Sequence, residues 1–164
     1  MKKFMFLIGA IALMLSVSCL PEGGNKMSSS ASCKGTWTVV NTQNQQTTYT
    51  KSDVIVDIEI PYGSKKLLDI TFNGVKFVSG MPDITMKVSD IVFTETLPEE
   101  NPTKRFVFEQ NNVIPTVNGV PFDNYEIEIF EGYIGDDVEI ELVLASSPFK
   151  ATFTTKEDNN ESEE

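Results

Sequence analysis

Histidine is missing from this chain altogether. Its absence removes Ser-His-Asp and Cys-His nucleophile systems and every histidine-held transition metal. Hydrolytic chemistry would have to rest on paired carboxylates or a bound hard cation. Cysteine is nearly missing, with only Cys19 and Cys33, so no disulfide framework is encoded. Basic residues are few: 13 Lys and Arg stand against 24 Asp and Glu, a net charge of −11. A surface of that sign repels nucleic acid and anionic headgroups, and neither a phosphate-binding glycine loop nor a basic stripe is present. No nucleic-acid role is expected. No window carries a helical apolar stripe, and no apolar run reaches the roughly 20 residues that span a bilayer.

The one sustained apolar run lies at the start. Lys2 and Lys3 precede Phe4–Leu15, and the small residues Ser16-Val17-Ser18 lead into Cys19. A basic n-region, a short h-region and small residues before the cut form a secretory signal. A cysteine directly after the small residues makes it a bacterial lipoprotein signal over residues 1–18, with Cys19 as the acylated new N-terminus. The alternative is an ordinary cleaved signal, in which case Cys19 and Cys33 could pair. Cleavage removes Lys2 and Lys3, leaving 11 basic residues against 24 acidic ones and a net charge of −13. The expected location is the outer membrane, facing the periplasm or the cell surface, with the membrane contacted through the lipid anchor.

Residues 19–34 are small and polar and read as a flexible tether. Residues 156–164 are acidic and amide-rich and read as a disordered tail. Between them, residues 35–155 alternate apolar with polar side chains. Val54, Val56, Ile58 and Ile60 do so, as do Leu68, Ile70 and Phe72; Tyr125, Ile127 and Ile129; Val138, Ile140, Leu142 and Leu144; Phe149, Ala151 and Phe153. Period 2 is the mark of half-buried strands. Shorter strands are expected at Thr36–Val40, Ser89–Thr94 and Lys104–Glu109. The fold class is all-β: a small antiparallel eight-stranded barrel, or a seven-stranded sandwich, with the barrel favoured by the short successive connections.

Residues 110–123, QNNVIPTVNGVPFD, interrupt this rhythm with Pro115, an Asn118-Gly119 turn and Pro121. Proline removes ladder donors, so the segment sits at an edge or leaves the sheet. Its apolar residues Val113, Ile114, Val117, Val120 and Phe122 either form a lid over a barrel mouth or plug the barrel end.

Aligning the apolar faces of Tyr125–Phe130 and Val138–Leu144 across a turn at Glu131–Asp136 sets Glu126 opposite Glu141 and Glu128 opposite Glu139. Facing carboxylates cost up to about 1 kcal/mol per pair. Three offsets are open: a lysine from the next strand, with Lys150 nearest in sequence; screening by water and salt; or a Ca²⁺ ion held by Glu126, Glu128, Glu139 and Glu141. A paired-carboxylate glycosidase is a poor fit, because these side chains lie on the convex side. No enzyme activity and no cofactor are expected.

Gly35-Thr36-Trp37 at the first strand resembles the G-x-W of lipocalins. With Asp69–Met86, Asn124–Leu144 and the terminal Phe149–Thr154 strand, the chain is similar to the calycin-like (lipocalin-like) lipoproteins of Bacteroidetes. The likeness covers most of residues 35–155. It implies a small barrel in which Trp37 packs across the bottom, and it carries over no catalytic residue. Two functions follow as expectations. One is a binding module for a small apolar or glycan ligand near Trp37, Phe77, Met81, Ile114, Val117 and Phe122. The other is a tethered module with a filled barrel that recruits an envelope protein through an edge strand or the proline-bearing loop.

Overall fold

The computed structural model describes residues 29–61, 63, 66–96 and 104–156. Cys19, with the signal and most of the tether, lies outside the described residues, as does the tail beyond Lys156. Among the described residues, no helix is long and apolar enough to cross a membrane.

Ten strands follow one another: β1 Ser29–Asn41, β2 Gln46–Ile60, β3 Leu67–Val75, β4 Ile84–Glu95, β5 Lys104–Val113, β6 Thr116–Val117, β7 Val120–Pro121, β8 Ile127–Gly135, β9 Val138–Leu144 and β10 Phe149–Thr154. Each long strand pairs antiparallel with the next, and β10 returns to β1. The eight long strands therefore close an up-and-down antiparallel barrel, as the alternation predicts. Closure leaves no free edge along the shared length.

The tether ends earlier than its composition implies. Ser29–Lys34 pair with Lys34↔Ile55 through Ser29↔Ile60, so the domain includes Ser29 and does not begin at Gly35. The inward positions there are Ser29, Ala31 and Cys33. Small side chains make a strand that composition alone reads as a linker.

Backbone irregularities curve the wall. The β1–β2 register shifts between Gly35 and Trp37, opposite Asp53 at φ 64°. Bulges of this kind bend a strand and add twist. Gly35 is required by close approach: a Cβ there would collide with the Thr154 carbonyl oxygen and the Phe153 ring. β4 is shared between two partners, pairing with β5 over Phe93–Glu95 and with β6 over Met86–Lys87.

The inside is filled. Trp37, Phe72, Phe77, Phe130, Phe153, Ile70, Met86 and Ile140 are fully buried. Phe72 meets Trp37 at 5.3 Å, Phe130 at 6.4 Å and Phe153 at 6.5 Å between ring centroids, and Phe108 stacks on Phe130 at 5.4 Å. Edge-to-face and offset packing of this kind adds to the burial of each ring.

Candidate functional site

The two ends of the barrel differ in construction. At one end β1 finishes at Asn41, β3 at Val75 and β5 at Val113, and this end is sealed. Trp37 spans it: its indole N–H donates to the Lys76 carbonyl at 3.0 Å, and Phe77 meets its ring edge-on at 5.9 Å. Tyr125 lies 5.3 Å from Phe77 and 5.0 Å from Phe122. Its hydroxyl points to the Met81 sulfur at 3.8 Å, and burial pushes its pKa up. The turn carrying Phe77 and Met81 is pinned from outside. Asp83 accepts from Lys51 at 2.8 Å and pairs with Lys76 at 3.3 Å, and these lysines hold its carboxyl below the usual range.

Residues 114–122 fold over this end as a hairpin. Asn118 and Gly119 take φ 50° and 85°, the double left-handed turn that Asn-Gly favours, and Val117 pairs with Val120. The Asn118 side chain accepts from the Thr85 amide at 3.1 Å, and its own amide donates to the Thr85 carbonyl at 2.8 Å, tying the turn to β4. Val117 packs against the core, while Ile114, Val120 and Phe122 stay 51%, 62% and 37% exposed.

The structure thus gathers the apolar set Trp37, Phe77, Met81, Val117 and Phe122 at one end, with Ile114 beside it on the outer surface. The arrangement is a plug. Trp37 and Phe77 are 0% and 1% exposed, which leaves no room for a ligand between them. Of the two readings of the proline-bearing segment, completion of the core describes Val117, and an outward apolar surface describes Ile114, Val120 and Phe122.

At the opposite end the described residues form only a shallow depression. A cup of about 30 Å³ is lined by Ser29, Ala31, Ile58, Ile60, Leu68, Phe106 and Ile134. That volume is about one water's share of the liquid, too small for a bound metabolite.

The carboxylate face differs from expectation. Gly132 and Gly135 read as a turn, yet β8 runs through both and the turn is Asp136-Asp137. Gly132 supplies close approach instead, since a Cβ would collide with the Glu139 carbonyl oxygen. The register moves accordingly, and Ile127 faces Leu144 rather than Ile140. Glu126 precedes the strand, and Glu128 lies at the far end of β8 from the partners of Glu139 and Glu141. The four proposed calcium ligands are therefore not brought together. Among the described residues, no group of three His, Cys, Asp or Glu side chains is arranged to hold a metal ion.

The true register places Glu131 between Glu109 on β5 and Glu141 on β9. Lys150 answers Glu141 at 2.6 Å, the lysine offset anticipated from sequence. Glu139 instead faces Tyr133, accepts its hydroxyl at 3.0 Å and lies 3.7 Å from Lys156. A surface groove of about 280 Å³ runs across Gly132 and Tyr133, with Lys104 over the Tyr133 ring at 4.3 Å. The lysine covers the ring face that a sugar would stack on.

Cys33 points inward from β1, opposite Val56, with its thiol toward the Val56 carbonyl at 3.5 Å. Burial first, and the nearby Asp57 charge second, push its pKa up to about 12. It is a protonated packing residue at neutral pH and a poor nucleophile.

No family model matches this chain, and neither curated proteins nor solved structures give a match to it.

Proposed function

We propose that this protein is a non-catalytic envelope lipoprotein that acts by recruiting another protein, with the β6–β7 hairpin as its contact surface. One observation carries the reading: the barrel interior is occupied by its own aromatic side chains, while Ile114, Val120 and Phe122 stay exposed within one short segment, residues 114–122. Large apolar groups held out by a rigid, hydrogen-bonded turn favour a protein partner. A small-ligand module would need a cavity of about 300 Å³ or more lined by the residues that here form the plug.

The anchor reading fits this orientation. Acylation of Cys19 would tether the chain at the end where β1 begins, the end opposite the hairpin. The closed up-and-down barrel with Trp37 across its sealed end supports kinship with calycin-like lipoproteins. An outer-membrane location rests on the signal alone. The partner is a protein surface offering an apolar or aromatic residue.

A photo-activated crosslinker at Val120, in cells of the source bacterium, tests the reading. The expected result is one discrete adduct that disappears when Ile114 and Phe122 are replaced by serine. Absence of any adduct from Val120, with the protein folded and present in the membrane fraction, would sink it.

A further inference from the structure

The barrel closes along most of its length but not all of it. β1 is thirteen residues long and β10 only six, and they pair over Thr36–Asn41. Beyond Thr36, residues Ser29–Gly35 pair with β2 alone among the described residues. Among the described residues, the outer backbone edge of Ser29–Lys34 therefore has no strand partner. The apolar cup at the end opposite the hairpin is bordered by the same stretch, through Ser29 and Ala31. Where β1 parts from β10, a second groove of about 280 Å³ opens between Lys34 and Thr154.

We propose that this notch accepts an extended segment of another protein, which adds to β1 as a strand. The inference rests on the reading of the domain as an interaction module and names a second surface for it. An edge strand supplies main-chain hydrogen bonds, and alternate side chains of the incoming strand supply specificity. On the inward side, those side chains meet the cup between Ala31, Phe106 and Ile134. On the outward side they lie beside Ser30, Ser32 and Lys34, the last neutralised by Asp53 at 2.7 Å, with Glu59 and Asp57 directly behind. The matching segment alternates small apolar residues with lysine or arginine.

The chain itself is a poor occupant. The C-terminal strand continues toward β9, where the Thr155 amide donates to the Val138 carbonyl at 3.0 Å. Residues 157–164 contain no apolar side chain for the cup and carry the same sign as Asp57 and Glu59. A second copy of β1 would bring a second Asp57 and Glu59 to the same edge.

Hydrogen exchange on the full chain in detergent, with a synthetic acetylated Lys-Val-Lys-Val-Lys-Val-Lys amide, tests this. Exchange of the alternate Ser29–Lys34 amides that face away from β2 should slow by about tenfold or more. A glutamate-for-lysine version, or one with proline at the central valine, should leave the rate unchanged. Ala31→Asp should abolish the slowing, while serine at Ile114 and Val120 should preserve it. Three results overturn the proposal: no slowing at millimolar peptide, slowing confined to the Glu109–Glu131–Glu141 face, or protection in the free chain of the amides that do not donate to β2. The Val120 crosslink is read separately, so the edge and the hairpin can fail independently.

Discussion

At the scale of single residues, Trp37 and Asp83 hold the sealed end from its two sides. Trp37 fills the barrel cross-section and satisfies its one donor on the Lys76 carbonyl. Truncation to alanine leaves a cavity that rigid neighbouring strands cannot close. We expect Trp37→Ala to cost about 3–5 kcal/mol in chemical denaturation. Asp83 works by charge. Its folded pKa is lowered, so the stability it lends is present above the unfolded carboxylate range and is lost as pH falls through the folded value. Asp83→Asn should therefore flatten the acid limb of the stability profile and leave the region above pH 7 parallel to that of the natural protein. An unchanged acid limb would refute the assignment. Cys33 makes the opposite kind of statement. With its pKa near 12, it should resist alkylation at pH 8 in the folded protein and react at once in denaturant; rapid labelling of the native state would show the wall opening at β1.

The elements show what a sequence reveals and what it hides. Val138–Leu144 and Phe149–Thr154 carry strong alternation, and the strands found there have those bounds. The Asn118-Gly119 turn was equally legible, because few residue pairs adopt that geometry without strain. Two elements were obscured by the same cause, small side chains used for packing. Ser29, Ala31 and Cys33 line the end opposite the hairpin, and their size hid the first half of β1 inside an apparent tether. Gly132 permits close approach to Glu139 within β8, and read as a turn it displaced the hairpin register and with it the proposed carboxylate site. The Glu109–Glu131–Glu141 row depends on β5 pairing with β8 across the β6–β7 insertion. That long-range adjacency leaves no local signal. Deleting Ser29–Cys33 together with everything before them should destabilise the barrel, by about 2–4 kcal/mol relative to a chain that begins at Ser29. Equal stability of the two would mean that this half of β1 contributes nothing to the wall.

On the scale of the whole molecule, the eight long strands form a closed antiparallel barrel with an aromatic interior. A net charge of −11 gives its surface an acidic balance. Among the described residues, the exposed large apolar side chains are divided between the hairpin segment, with Ile114, Val120 and Phe122, and the barrel wall, with Ile55, Val92 and Val107. Of the apolar candidates read from the sequence, Trp37, Phe77, Met81 and Val117 converge as packing, while Ile114 and Phe122 stay exposed. Periodicity marks a side chain as inward-facing, whereas whether the inward space is empty depends on the volumes of all eight strands together. The central claim is that this barrel binds through its surface and carries nothing inside. Native mass spectrometry of the full chain, recovered gently from the cells that make it, tests it most directly. The account predicts a mass equal to the mature chain with its acyl groups, alone or with a protein partner. A small organic molecule retained in stoichiometric amount and released only on unfolding would contradict it.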